Sequence, residues 1–278
     1  MSEILAEILS PALIVCGIGL IAAVLLTLAY RFMGTKTDEK GKEKELLNAL
    51  PGINCGACGF AGCEAYATAL AKGETDKPNL CVPGADKVGK KISEIMGVRF
   101  EDVVEKTAFV RCGGDCSHNK KKAHYQGISS CSAACGVFGG EDACSVGCLG
   151  YGDCAAVCPV RAICIKDGLA RINHKKCIGC GKCADVCPNK IIAMFDGTEK
   201  TAVCCSNTEK GVITRKKCDA GCIGCGKCEK ICPAEAVTVK NNLAKINYNK
   251  CIRCGKCADI CPCGCIVNAA APFKRNEE

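Results

Sequence analysis

The chain has 278 residues, a formal net charge of +8 and 31 cysteines, a cysteine content typical of disulfide scaffolds or metal proteins. Much of its 49% hydrophobic fraction is cysteine, and with 7 Phe, 5 Tyr and no Trp little apolar material remains for a large core. No stretch interleaves basic and aromatic residues, which argues against a nucleic-acid-binding protein. Something besides apolar packing must stabilise the fold, and bound metal can do so.

The N-terminus carries an apolar run that predicts a membrane anchor within residues 1–33. Residues 8–30 contain 23 uncharged positions, enough for about 34 Å of helix and one bilayer crossing. Acidic residues precede the run and basic residues follow it, so the positive-inside rule predicts a single-pass protein of the cytoplasmic (inner) membrane with its N-terminus outside and its body in the cytoplasm. A cleaved secretory signal, the alternative, would need basic residues at positions 1–7, which have none. Cys16 lies in this helix and is predicted to be inert.

Residues 34–45 are predicted to be a charged, solvated tether, and residues 46–97 form the next unit, which we call the Cys-knot domain. This domain contains the motif Cys55-x2-Cys58-x4-Cys63, with Cys81 further along the chain. The glycines between these cysteines let the backbone fold tightly and offer N–H groups to sulfur, which predicts a [4Fe-4S] cluster with these four ligands. A zinc site or a redox disulfide is the alternative. Helices are predicted at 61–72 and 85–96.

The rest of the chain is an internal repeat with an offset of 74 residues, which relates Cys177 to Cys251 and Cys131 to Cys205. Self-similarity of this kind indicates one structural unit used twice. The units are assigned to residues 98–200 and 201–278. Short strands are predicted at 108–110, 162–165 and 243–246. The predicted fold class is α+β, with tandem bacterial-ferredoxin-like units after a small helical domain and one transmembrane helix.

The motif Cys-x2-Cys-x2-Cys-x3-Cys-Pro occurs three times in this repeat. In bacterial ferredoxins three thiolates of the motif bind one [4Fe-4S] cluster and the fourth binds the neighbouring cluster. With the repeat offset, this exchange predicts three ligand sets. They are Cys222, Cys225, Cys228 and Cys261; Cys251, Cys254, Cys257 and Cys232; and Cys177, Cys180, Cys183 and Cys158. Structural zinc sites typically use two separated Cys pairs, which disfavours zinc here.

The second set of the first unit is irregular, because Tyr151 stands where the offset places Cys225. We expect Cys144 to serve instead. The predicted set is Cys144, Cys148, Cys154 and Cys187. Five clusters of about −2 each would change the net charge from +8 to roughly −2.

Further cysteines lie outside these five sets. Cys112, Cys116, Cys131 and Cys135 make a candidate sixth set. Cys204 or Cys205 with Cys218, and Cys263 or Cys265, make a candidate seventh set. Both sets stay open, because a free cysteine also packs as a small buried hydrophobe, the role that we expect for Cys164. The sequence predicts at least five [4Fe-4S] clusters, and six or seven if these sets bind iron.

Nucleotide-binding and catalytic motifs are missing from the sequence. It contains no G-x-G-x-x-G after a strand, no P-loop, no Ser/His/Asp arrangement and no pair of catalytic carboxylates. No catalytic residue and no NAD or flavin site is therefore predicted. Iron-sulfur clusters transfer single electrons, so the predicted role is that of an electron carrier.

The chain resembles, over its whole length, the B subunit of the Rnf complex, an ion-translocating ferredoxin:NAD oxidoreductase. The resemblance rests on the order of the elements and on the stretches LPGINCGACGFAGC, ACSVGCLGYGDCAAVCP and CDAGCIGCGKCEKICP. It implies that reduced ferredoxin delivers electrons to the clusters, which pass them to membrane subunits and to flavin- and NAD-binding subunits. This transfer is coupled to export of Na+ or H+. Each cysteine carried over is then a cluster ligand.

Two other functions stay open at this point. A polyferredoxin of another membrane enzyme, such as a hydrogenase or quinone reductase, would share the clusters, but a Cys-knot domain beside an anchor favours the Rnf interpretation. A zinc-storage or structural zinc protein would be colourless, whereas [4Fe-4S] proteins are brown.

Overall fold

The computed structural model describes residues 17–29, 40–100, 102–103, 106–196 and 201–268. Residues 17–29 form a helix with exposed apolar side chains, among them Leu20, Leu25 and Leu26. The other residues of the apolar run at 8–30 lie outside the described ranges. None of the helices within those ranges combines the length and the apolar character that a bilayer crossing needs.

The Cys-knot domain consists of three helices. They are α1 (residues 40–49), α2 (Cys63–Ala71) and α3 (Ala85–Met96), with a short 3-10 turn at Val82–Gly84 before α3. Helices α2 and α3 lie where the sequence predicts helices at 61–72 and 85–96. Gly97 ends α3 in the left-handed conformation with φ +67°, which glycine adopts without strain.

The charged segment that the sequence predicts to be a tether is partly helical. Residues 40–45 are helical and belong to α1, and residues 34–39 lie outside the described ranges. Helix α1 is anchored because Leu46 and Leu50 are buried in the core of the Cys-knot domain. The Glu43 carboxylate also accepts a hydrogen bond from the Thr68 hydroxyl of α2. Tertiary packing, more than local composition, therefore stabilises this helix.

A compact apolar core holds the three helices together. Tyr66, Leu70 and Ile92 are each at most 1% exposed and pack in one cluster with Leu46. The Tyr66 hydroxyl donates a hydrogen bond to the Lys77 carbonyl at 2.6 Å, so its polar group is satisfied. This domain has its own core, separate from those of the two repeated units.

The two repeated units contain their elements in the same order, strand-helix-helix-strand-strand-helix-strand. The first contains β1 (Lys106–Val110), α4 (Cys131–Gly136), α5 (Asp153–Ala156), β2 (Ile163–Lys166), β3 (Leu169–Ile172), α6 (Lys182–Val186) and β4 (Ile192–Asp196). The second contains β5 (Thr201–Val203), α7 (Gly211–Lys217), α8 (Lys227–Ile231), β6 (Val237–Lys240), β7 (Leu243–Ile246), α9 (Lys256–Asp259) and β8 (Ile266–Asn268). Strands β1 and β4, β2 and β3, β5 and β8, and β6 and β7 pair antiparallel. The tandem α+β ferredoxin-like units predicted from the repeat are confirmed.

The cores of the units follow the 74-residue offset. The first contains Ile163, Leu169, Ala170 and Ile192, and the second contains Val237, Leu243, Ala244 and Ile266. Cysteines fill much of the space that remains in each core. The apolar residues supplied by the paired strands therefore surround sulfur atoms rather than a larger hydrophobic cluster.

The two units pack directly against each other. Phe109 of β1 is buried with Ala202 and Cys204 of the second unit. The ring centroids of Phe195 and Tyr248 lie 5.2 Å apart across the same boundary.

Backbone hydrogen bonds reinforce this contact between units. The Lys120 N–H donates to the Lys217 carbonyl at 2.9 Å, and the Asp219 N–H donates to the His118 carbonyl at 3.0 Å. Asn119 and Cys218 form the antiparallel bridge between these two bonds. The ends of the cysteine-bearing loops of both units are therefore held at one place.

We expect Ile92→Ala to destabilise the Cys-knot domain locally by about 2–4 kcal/mol, because the side chain is fully buried and its loss leaves a cavity. Hydrogen exchange of the backbone amides in α2 and α3 measures this loss. Ile128→Ala is the control, since Ile128 is 75% exposed and lies outside this domain. Unchanged exchange in the Ile92 variant would contradict the packing described here.

Candidate metal centres

The first candidate centre is a pocket in the Cys-knot domain. It has a volume of about 300 Å³ and is lined by Cys55, Cys58, Cys63 and Cys81, the four cysteines predicted from the motif. Gly56 and Gly59 have φ of +76° and +87°, which lets the backbone turn sharply around the pocket. The Asn54 side-chain carbonyl accepts a hydrogen bond from the Cys63 N–H at 2.8 Å and holds the start of α2 in place.

The surroundings of this pocket fit an iron-sulfur cluster. The pKa of Cys81 is raised to about 11, mainly by burial and in smaller part by the nearby Cys63, Cys55 and Cys58. Several thiolates in an apolar pocket repel one another, so they are stable together only beside a compensating cation. The irons of a cluster supply that charge.

The second pocket lies in the first ferredoxin-like unit and corrects one predicted grouping. Its volume is about 360 Å³, and its cysteines are Cys131, Cys148, Cys154 and Cys187. The motif spacing predicted Cys144 in place of Cys131. The structure instead places Cys144 in another pocket. Cys131 therefore compensates for Tyr151, which stands where the motif of the second unit has a cysteine.

A carboxylate explains how Cys131 reaches this pocket. The Asp153 side chain accepts hydrogen bonds from the N–H groups of Cys131 and Ser132 and from the Ser130 hydroxyl, each at 3.0 Å. Burial alone would raise the Asp153 pKa, but these hydrogen bonds outweigh it and lower the pKa. Because Asp153 immediately precedes Cys154, it joins the start of α4 to the cysteine motif.

The other set of the first unit is grouped as the motif predicts. Burial raises the pKa of Cys180, and the charges of Cys55, Cys158 and Cys177 raise it further, which shows that these sulfurs are neighbours. The pKa of Cys183 is raised to about 11 by burial and then by Cys177 and Cys180. Because Cys55 also acts on the pKa of Cys180, the Cys-knot domain lies near this set.

The second unit also groups its cysteines in the two predicted sets. Cys222, Cys225, Cys228 and Cys261 line a pocket of about 320 Å³. Around Cys257, burial raises the thiol pKa and the neighbouring Cys251, Cys232 and Cys254 raise it further.

Backbone N–H groups point at sulfur in equivalent places of both units. The Ala162 N–H donates to Cys158 Sγ at 3.2 Å, and the Ala236 N–H donates to Cys232 Sγ at 3.3 Å. These residue pairs are related by the 74-residue offset. Such bonds favour the thiolate over the thiol, because they place positive partial charge beside the sulfur.

Two additional thiols border the pocket of Cys222 and Cys261. Cys263 and Cys265 line it, and Cys265 Sγ lies 3.5 Å from Cys261 Sγ. Hydrogen bonding to Cys265 lowers the pKa of Cys261 and of Cys222, while it raises the pKa of Cys265 itself. Cys263 and Cys265 therefore lie at this pocket and not at the one lined by Cys204, Cys205 and Cys218, so the predicted seventh set is not formed.

The structure does not gather the cysteines of the candidate sixth set, or those of the candidate seventh set, around one pocket. Cys116 is exposed beside Gly168, and the Cys135 thiol donates to the Asn189 side-chain carbonyl at 3.5 Å. Their predicted companions Cys112 and Cys131 lie in two different pockets. Of the seventh set, Cys204, Cys205 and Cys218 line the pocket that also holds Cys112 and Cys144, apart from Cys263 and Cys265. The exposed Cys164 is not the buried hydrophobe that we expected.

None of the described cysteines forms a disulfide. Nor does this part of the chain contain a group of three or more His, Cys, Asp or Glu side chains positioned for a single metal ion. The cysteines surround pockets of about 300–360 Å³ instead.

Comparison with known proteins agrees with these pockets. A family described as "Putative Fe-S cluster" matches residues 50–83, and two families described as 4Fe-4S dicluster domains match residues 176–236 and 212–262. The B subunit of the proton-translocating ferredoxin:NAD(+) oxidoreductase complex of Clostridium ljungdahlii is 46% identical over 201 residues, or 72% of this chain and 71% of that protein. This chain belongs to the B-subunit family of ion-translocating ferredoxin:NAD oxidoreductase (Rnf) complexes.

Two further relatives support the assignment. The B subunit of the Na(+)-translocating ferredoxin:NAD(+) oxidoreductase complex of Acetobacterium woodii is 40% identical, covering 88% of this chain and 73% of that protein. The B subunit of the ion-translocating oxidoreductase complex of Methanosarcina acetivorans is 36% identical, covering 85% of this chain and 89% of that protein. The predicted family, the [4Fe-4S] domains, and the role as an electron-transfer subunit of an oxidoreductase complex are confirmed.

The sequence contained a signal for the true grouping of Cys131 that spacing alone did not reveal. The repeat offset pairs Cys131 with Cys205, and Tyr151 leaves one motif position without a cysteine. The missing motif cysteine indicates that a cysteine from outside the motif completes the set, whereas the offset alone would place Cys131 as it places Cys205, at the boundary pocket.

We expect Cys131→Ala to lose about four irons per chain, the content of one [4Fe-4S] cluster. Cys135→Ala is the matched control, because Cys135 lies on the same helix α4 and bonds to Asn189 rather than facing the pocket. Anaerobic iron and sulfide analysis measures both variants. Full iron content in the Cys131 variant would contradict the placement of this cysteine.

Proposed function

We propose that this chain accepts electrons from reduced ferredoxin and relays them to the other subunits of an ion-translocating ferredoxin:NAD oxidoreductase complex. The observation that carries the proposal is the succession of buried cysteine groups through the Cys-knot domain and both ferredoxin-like units. A bound [4Fe-4S] cluster takes up and releases one electron at a time. Ferredoxin and NAD, as donor and final acceptor, come from the names of the Clostridium ljungdahlii and Acetobacterium woodii relatives.

The proposed ligands form five sets of four. They are Cys55, Cys58, Cys63 and Cys81; Cys131, Cys148, Cys154 and Cys187; Cys158, Cys177, Cys180 and Cys183; Cys222, Cys225, Cys228 and Cys261; and Cys232, Cys251, Cys254 and Cys257. In each set at least one sulfur accepts a hydrogen bond from the backbone, which helps to hold it in place.

Contacts between neighbouring sets support a continuous relay. Cys55 of the Cys-knot domain is close enough to Cys180 to raise its pKa, although burial raises it more. In the first unit, Cys183 acts in the same way on Cys154 of the adjacent set. Helices α5 and α6 lie side by side, as do α8 and α9, which brings the two sets of each unit together.

The proposal assigns the remaining steps to other proteins. The chain has no nucleotide-binding motif, so flavin and NAD are bound by partner subunits. Residues 1–33 serve as a single-pass membrane anchor with the N-terminus outside and the cysteine-rich body in the cytoplasm. The apolar run at 8–30 and the basic residues after it support this topology.

In the assembled complex, we expect Cys58→Ala to remove the cluster of the Cys-knot domain and slow ferredoxin-dependent NAD reduction by about tenfold or more, because one station of the relay is lost. Cys164→Ala is the control, since Cys164 is an exposed thiol that belongs to none of the five proposed ligand sets. Iron analysis and the rate of NADH formation are measured together. Full activity with about four irons missing would overturn the proposed relay through this domain.

Deletion of residues 1–33 is expected to give a water-soluble brown protein that keeps all its iron, because every proposed ligand lies after this segment. Membrane fractionation of cells that produce the chain without partner subunits tests the anchor. Full-length chain should sediment with membranes and the truncated chain should not. A truncated chain that still sediments with membranes would refute a single anchor.

A further inference from the structure

A further pocket lies where the two ferredoxin-like units meet. Its volume is about 300 Å³, the same as that of the Cys-knot pocket. The first unit contributes Cys112 and Cys144, and the second contributes Cys205 and Cys218. We call these four residues the bridging set.

Three of the four sulfurs of the bridging set lie close to two glycines. A Cβ at Gly147 would lie 3.6 Å from Cys144 Sγ and 3.7 Å from Cys112 Sγ. A Cβ at Gly114 would lie 2.9 Å from Cys218 Sγ and 3.9 Å from Cys112 Sγ. A side chain at Gly114 would therefore collide with sulfur, which explains why a glycine is needed there.

The bridging set is as deeply buried as the most buried of the proposed ligands of the other clusters. Its cysteines are 7–9% exposed, compared with 6–8% for Cys148, Cys154, Cys222 and Cys228. None of the four forms a disulfide. Four buried thiols at one pocket, with no bond between them, supply the number and kind of ligands that a [4Fe-4S] cluster needs.

Each half of the bridging set is held by the same backbone contacts. The Cys148 N–H donates to Cys112 Sγ at 3.4 Å, and the Cys222 backbone bonds in the same way to Cys205. Cys148 and Cys222 are equivalent by the 74-residue offset, and each is a proposed ligand of its own unit's cluster. The backbone of Cys148 therefore links the bridging set to the neighbouring centre of the first unit, and the backbone of Cys222 links it to that of the second unit.

A second pair of contacts repeats the same symmetry. The backbone of Val146 bonds to the Cys144 thiol, and the backbone of Ala220 bonds to the Cys218 thiol. Cys144 and Cys218, like Val146 and Ala220, are 74 residues apart. The two units thus present matching sulfur-binding loops to each other, as expected when one ligand group is shared between them.

From this geometry we propose that Cys112, Cys144, Cys205 and Cys218 bind a sixth [4Fe-4S] cluster that connects the two ferredoxin-like units. Two ligands come from each unit, so neither unit forms the site alone. The interface hydrogen bonds of Lys120 with Lys217, of Asp219 with His118 and of Ser206 with Arg111 fix the loops that carry these cysteines.

This inference deepens the proposed function, on which its role in electron relay rests. At the boundary between the units, the cluster would accept one electron from a reduced cluster of one unit and pass it to an oxidised cluster of the other. No bond is formed or broken and no proton is required in this step.

Iron and sulfide analysis of the full-length chain, after anaerobic reconstitution with excess iron and sulfide, tests the site. We expect about 24 irons per chain, since six clusters hold four each. Cys205→Ala and Cys144→Ala, one from each unit, should each fall to about 20 irons. Each variant should also lose the same electron paramagnetic resonance signal of the dithionite-reduced protein.

Cys204→Ala is the matched control. Cys204 is adjacent to Cys205, borders the same pocket and is only 1% exposed, but its side chain packs in the apolar cluster of Phe109 and Ala202. It should keep about 24 irons. The wild-type count does not depend on the folding of any variant, and a value of about 20 irons would overturn the proposal.

The two proposals fail in different ways. About 20 irons in a wild-type complex that still reduces NAD with ferredoxin would exclude the sixth cluster and leave the relay intact. About 24 irons in a complex that does not accept electrons from ferredoxin would support the bridging site and refute the proposed function.

Discussion

Burying a thiolate costs free energy that a nearby cation must offset, and the rest of this structure depends on that constraint. Cys148, Cys154 and Cys183 lie among the core residues of the first unit, where small domains ordinarily place larger apolar side chains. A chain with so few aromatic residues has little other material for its cores. Metal binding then contributes folding energy directly, so the groups that transfer electrons also stabilise the domains.

The repeat shows how one unit was adapted in two ways. In the second unit Cys225 completes a regular motif, and Cys205 is available to line the boundary pocket. In the first unit Tyr151 occupies the position equivalent to Cys225, and Cys131, the equivalent of Cys205, lines that unit's own pocket. Cys112 lines the boundary pocket in its place. At least four cysteines line each of these pockets, although their positions in the sequence differ between the units.

Membership in the Rnf B-subunit family explains why the chain contains many cysteine pockets and no motif of a catalytic site. A relay protein has to hold its redox groups at fixed separations, shield them from water and connect each to the next. Hydrogen bonds from backbone N–H groups to sulfur hold individual cysteines in place, and the direct packing of the two units fixes the units relative to each other. Chemistry on nucleotides is left to partner subunits in the function proposed here.

The sequence by itself determined the family, the small Fe-S domain and the tandem ferredoxin-like units, and its motifs predict most of the cysteine groups that line the pockets. These features are readable because the spacing of Cys-x2-Cys-x2-Cys-x3-Cys-Pro is local and the 74-residue offset transfers it between units. Only the tertiary structure decided that Cys131 rather than Cys144 joins Cys148, Cys154 and Cys187. That choice depends on hydrogen bonds from the start of α4 to Asp153, which lies 22 residues from Cys131 in sequence. The meeting of Cys112 and Cys144 with Cys205 and Cys218 likewise depends on packing between units, which no local spacing encodes.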